Sequence, residues 1–129
     1  MLTHDLMQNP NRRPNQLEER IIAFAASVVS LSSKLPRNPQ GRHICDQILR
    51  SGSAVAANYG EARAAESRSD FIHKLKIVSK ELNETAVWLE IIMKSSVIPA
   101  NTVVEILVEN RELCRIISAS IRTARSAKS

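Results

Sequence analysis

FIHKLKIVSKELNETAVWLEII, residues 71–92, decides the fold class. Within it Phe71, Leu75, Val78, Leu82, Thr85, Leu89 and Ile92 recur at alternating steps of four and three. That spacing lines one face of a helix and forms the seam of a helical bundle, whereas a half-buried strand alternates every second residue. Trp88 and Ile91, beside Val87, widen the apolar face near the C-terminal end, so this helix is expected to pack on more than one partner. Just upstream, AESRSD (residues 65–70) sets Ser67 three residues before Asp70, a capping box with Asp in place of the usual Glu. Ser69 is a competing cap.

Working outward, Leu17, Ile21, Phe24, Val28, Leu31 and Leu35 repeat the same spacing and predict a first helix from Leu17 to about Leu35. PRNPQG (residues 36–41) interrupts it: Pro36 cannot continue the backbone bonding, and Gly41 permits an unusual dihedral before the next start. A second helix is expected over roughly Arg42–Ala64, with Ile44, Ile48, Gly52, Val55 and Tyr59 on one side. Its middle, SGSAVAANYG (residues 51–60), is rich in small residues although a mid-helix glycine costs about 1 kcal/mol against alanine. Close approach of a neighbouring helix is the favoured reason; a backbone surface lining a ligand is the alternative. After SSVIPAN (residues 95–101), Pro99 or Asn101 opens a last helix carrying Val103, Ile106, Leu107, Leu113, Ile117 and Ile121 to about Arg122. Short links make sequential helices antiparallel, so the expected fold is all-α, an up-down-up-down four-helix bundle over residues 17–125. Residues 1–16 are read as a flexible arm and 126–129 as a tail.

With 129 residues the chain is the size of one domain, and three glycines among abundant alanine, leucine, isoleucine and glutamate suit helices. No apolar run approaches the ~20 residues of a membrane span. MLTHDLMQNPNRRPNQ, residues 1–16, has no apolar core of the kind a targeting peptide carries. Cys45 and Cys114, the two cysteines, lie far apart and read as free core thiols of a cytoplasmic protein.

Catalytic patterns are missing from the sequence: no Gly-x-Ser-x-Gly elbow, no phosphate-binding glycine loop, no His-Glu-x-x-His pair. Asp70-x-x-His73 has the spacing of half a di-metal site but lacks its second half. Asp70 instead suits the positive end of a helix, with His73 on the polar side. His43 and Cys45, two apart, point to different faces of a helix and cannot chelate together. Glu81, Glu84 and Glu90 read as salt-bridging or solvated carboxylates, and Trp88 as a packing anchor. No metal, cofactor or small-molecule substrate is expected.

Across RSGSAVAANYGEARAAESRSDFIHKLKIVSKELNETAVWLEII, residues 50–92, the chain resembles the bacterial four-helix-bundle family encoded by intervening sequences in large-subunit ribosomal RNA genes, the 23S rRNA-associated proteins. The pieces that carry the likeness are Arg50-Ser51, Ala57-Asn58-Tyr59-Gly60-Glu61-Ala62, Asp70-Phe71, Lys80-Glu81, Glu84-Thr85 and Trp88-Leu89. The resemblance implies a bundle that assembles as a ring-shaped homopentamer without known enzymatic activity. It also implies a distant relation to the accessory variability protein of diversity-generating retroelements, which binds nucleic acid and a reverse transcriptase. Arg50, Ser53, Asn58, Tyr59, Glu61, Phe71, Glu81, Glu84 and Trp88 are then expected to serve packing and oligomerisation. Asn58, polar within a run of small residues, is a candidate for setting register.

The formal charge is +5, which suits an anionic partner. From Arg111 onward Arg111, Arg115, Arg122, Arg125 and Lys128 face the single acid Glu112. Steps of 4, 7 and 3 keep the four arginines near one helical face, able to track the phosphates of RNA or DNA without reading sequence. A solvated face favoured by the helix dipole accounts for the same pattern. The readings are therefore an oligomeric nucleic-acid-binding scaffold, a protein-binding module and, behind both, an enzyme.

Overall fold

In the computed structural model the chain is described over residues 13–127, with side chains from Gln16, and it folds into four helices joined by short links. These are α1 (Arg13–Ser32), α2 (Pro39–Arg63), α3 (Arg68–Ser95) and α4 (Ala100–Ser126). Each packs chiefly on its sequence neighbours, and α1 closes against α4. The antiparallel up-down-up-down bundle is thus the architecture observed. None of the helices is long and apolar enough to cross a membrane. Residues 1–12 of the expected arm and the last two of the tail lie outside the described residues. Residues 13–16, assigned to the arm, are already helical.

The ends of the helices follow local chemistry. α2 starts at Pro39 rather than Arg42, because the Asn38 side chain accepts from the Gly41 N–H at 2.8 Å and Pro39 fits the first turn, where no backbone donor is needed. Gly41 has no positive φ, so the dihedral expected of it is not what it supplies. It admits the Pro36 carbonyl: a Cβ there would stand 1.8 Å from that oxygen. Ser67, not Ser69, caps α3 by accepting from the Asp70 N–H at 3.0 Å. α3 stops at Ser96, the one non-glycine residue with positive φ among those described.

The seam forms as its spacing requires: Leu75, Val78, Leu82, Thr85, Leu89 and Ile92 are buried, against Ile21, Phe24 and Val28 of α1, Ile48 and Val55 of α2, and Val103, Leu113 and Ile117 of α4. Phe71 packs half-buried at its edge. Gly52 lets α1 come close, since a Cβ there would meet Val28 Cγ1 at 2.6 Å. Two polar groups cross the core. Ser51 accepts from the Thr85 hydroxyl at 2.8 Å, and Asn110 Nδ2 donates to the Leu82 carbonyl at 2.9 Å from a fully buried position. Asn58 bonds within its own helix, to the Ala54 carbonyl, so the buried amide that ties two helices is Asn110. Asn110→Ala removes that tie and leaves a void; a loss of about 2 kcal/mol, read from urea unfolding, is expected.

Candidate nucleic-acid interface

Arg111, Arg115, Arg122 and Arg125 are all exposed on α4, and at 3.6 residues per turn they fall within about 80° of arc along about 21 Å of helix. They are not electrostatically equal. Arg111 pairs with Glu90 of α3 at 2.9 Å, and Arg115 with Glu112 one turn away at 2.6 Å. The Arg115 hydrogen bond and charge hold the Glu112 carboxyl below its ordinary range. Arg122 and Arg125 have no ion-pair partner among the described residues. The outward field of the row is therefore concentrated at its C-terminal end.

The antiparallel packing of α3 and α4 adds cations that the reading of α4 alone does not supply. Cys114 Sγ lies 3.7 Å from Asn83 Oδ1, and Glu90 meets Arg111. Carried along the helices, this register sets Lys76 across from Arg122 and Ile72 across from Arg125. His73, Lys76 and Lys80 share the outer face of α3 within about 60° of arc and are exposed. Arg68, Ser69, Ile72, His73 and Lys76 line a shallow depression there. Arg68 and Lys76 have no ion-pair partner among the described residues, and Lys80 lies one turn from Glu84. The outcome is a two-helix basic face at one end of the bundle, built from the N-terminal half of α3 and the C-terminal half of α4.

The residues expected to serve packing and assembly fall elsewhere. Arg50 of α2 bridges Glu81 at 3.3 Å and Glu84 of α3; Glu81 is 8% exposed. The Arg50 hydrogen bond, opposed by desolvation and aided by the Arg50 charge, holds the Glu84 carboxyl below its ordinary range. Trp88 is half-buried with its ring edge-on to His43 at 5.8 Å. Glu61 takes the Lys74 ammonium at 2.7 Å, and Ser53 donates to the Leu49 carbonyl at 2.6 Å. Phe24 and Tyr59 are buried, so with Phe71 and Trp88 every Phe, Tyr and Trp ring belongs to the core or its margin. Glu81, Glu84 and Glu90 are all engaged by arginines, as salt-bridging carboxylates would be. Cys45 and Cys114 are free and half-buried, with burial pushing the Cys114 thiol up. Among the described residues no three His, Cys, Asp or Glu side chains converge on a metal position.

Two comparisons bear on this arrangement. The family model described as 23S rRNA-intervening sequence protein matches residues 14–119. A crystal structure from Bacteroides thetaiotaomicron, described as a protein with unknown function from the S23 ribosomal protein family, is 34% identical and superposes with a TM-score of 0.78. The match covers 84% of this chain and 97% of that one. No curated protein sequence matches.

Proposed function

This chain belongs to the 23S rRNA-intervening sequence protein family, and from that premise we propose that it is a non-enzymatic, homo-oligomeric cytoplasmic scaffold that holds RNA or DNA by its phosphates. The observation that carries the reading is the two-helix basic face, on which Arg68, Lys76, Arg122 and Arg125 stand without ion-pair partners among the described residues. Cations in two adjacent rows attract a phosphate backbone and release its counterions. Among the described residues no Phe, Tyr or Trp ring stands on the face and His73 is its one imidazole, which supports contact that is chiefly shape-tolerant and sequence-independent. Ribosomal RNA is the nucleic acid the family description suggests.

Oligomerisation is supported by apolar side chains left in water: Val87 is 56% exposed and Val108 63%, with Ile91 and Val104 also exposed. The number five follows the family resemblance. The same side chains favour a second reading, a module that binds a different protein. Light scattering coupled to gel filtration is expected to give a pentamer mass, and fluorescence anisotropy with a labelled RNA duplex to give saturable binding at low salt. Binding without assembly would leave the scaffold a single subunit. Assembly without binding would favour the protein-binding module.

A further inference from the structure

Where α2 turns into α3, the bundle end opens into a cleft of about 990 Å³. Its floor is apolar, drawn from all four helices: Leu17, Ala62, Phe71 and Ile116 line it. Three arginines stand at its rim. Arg20 is held by Glu109 at 2.7 Å and Arg63 by Glu18, but Arg68 is unpaired among the described residues. Arg68 also opens α3, where the Ser67 cap engages only the Asp70 and Phe71 N–H groups and the first donors of the helix remain available.

A second observation is independent of these charges. Tyr59 lines the cleft at 5% exposure, and its hydroxyl has no hydrogen-bond partner among the described residues. Buried hydroxyls are nearly always bonded, so one without a partner beside a cavity points to a group supplied from outside. Burial raises the pKa of this hydroxyl, and Arg63 and Glu18 act on it with opposite sign. It therefore remains a protonated donor at neutral pH.

We propose that the cleft is a mononucleotide-binding site: a planar base lies on the floor at Phe71 and Ile116, its edge accepts from the Tyr59 hydroxyl, and its phosphate sits between Arg68 and the first turn of α3. A nucleotide unites the three chemistries the cleft presents: a flat apolar body, a hydrogen-bonding edge and an anion. The source is either a free nucleotide or the phosphorylated end of a strand. The site stands beside the basic face, bordering it at Arg68, and its lining residues all come from one chain.

Equilibrium dialysis of the full chain against labelled adenosine 5′-monophosphate tests the assignment. Saturable binding is expected, weakened about tenfold by Tyr59→Phe and by Arg68→Gln, since each removes one hydrogen-bonded or charged contact. Ser120→Trp, which fills the cleft from α4, is expected to abolish it, with circular dichroism confirming the fold of each variant. A 5′-phosphorylated single strand that displaces the nucleotide assigns the site to strand ends; one that fails to displace it assigns the site to free nucleotide. The variant Lys76→Gln, Lys80→Gln, Arg122→Gln, Arg125→Gln is expected to lose duplex binding and keep nucleotide binding, which separates this site from the basic face. Absence of saturable binding at millimolar nucleotide overturns the proposal. So does a Tyr59→Phe protein that binds as the native chain does, because the unpartnered hydroxyl is then only a packing defect.

Discussion

Gly41→Ala is expected to destabilise the fold by about 3 kcal/mol or more, the reverse of the usual gain of about 1 kcal/mol when a helical glycine becomes alanine. The new Cβ would stand 1.8 Å from the Pro36 carbonyl oxygen, and both groups are anchored in backbone. The turn at 33–38 must move, and with it the Asn38 cap on Gly41. The other two glycines act as controls. At Gly52 a Cβ meets Val28 Cγ1 at 2.6 Å; valine is stiff about χ1, so a loss of about 1–3 kcal/mol is expected. At Gly60 it meets only Glu18 Oε2 at 3.7 Å, ordinary contact, and alanine should add up to about 1 kcal/mol. Urea unfolding of the three variants at one protein concentration reads the order directly. Equal effects at Gly41 and Gly60 would show that propensity, not close approach, governs these sites.

The basic face should give the largest functional effect. Replacing Lys76, Lys80, Arg122 and Arg125 with glutamine is expected to lower the slope of log affinity against log salt for a duplex by roughly 3–4 units, near 0.9 for each lost phosphate contact. At 50 mM salt that corresponds to a loss of about two to four orders of magnitude in affinity. Arg111→Gln with Arg115→Gln should lower the slope by less than the two units or so that a pair of free cations would give. Those arginines are bonded to Glu90 and Glu112, and surrendering an exposed ion pair offsets part of what a phosphate would contribute in its place. A quadruple variant that folds and assembles yet keeps the native slope would reduce the face to a solvated surface.

The bundle was legible because its seam is written in one helix: the steps from Leu75 to Ile92 identify the buried residues without knowledge of any neighbour. Helix ends were less so. Asn38 and Pro39 carry a clear start signal, but Gly41, read for its dihedral freedom, serves a contact that depends on where Pro36 lies in space. Asn110 occupies a core position of α4, where an apolar residue belongs by spacing, and only the buried Leu82 carbonyl across the interface, which accepts from its amide, accounts for it. Half of the basic face could be read from arginines three, four and seven apart on one helix. The other half, Arg68, Lys76 and Lys80, becomes part of the same surface only through the register of α3 against α4, which no spacing within either helix encodes. Tyr59 looked like core, and it is; that its hydroxyl is unpartnered is a property of the packed cleft.

The α3–α4 register that gathers the cations at one end gathers Val87, Ile91, Val104 and Val108 at the other. The surface is consequently a lever with a charged arm and a greasy arm. A polyanion pulling on the charged arm exerts a torque as well as an attraction, turning each molecule the same way round before contact. Copies lined up along a phosphate backbone in this way would present their oily tips on a common side.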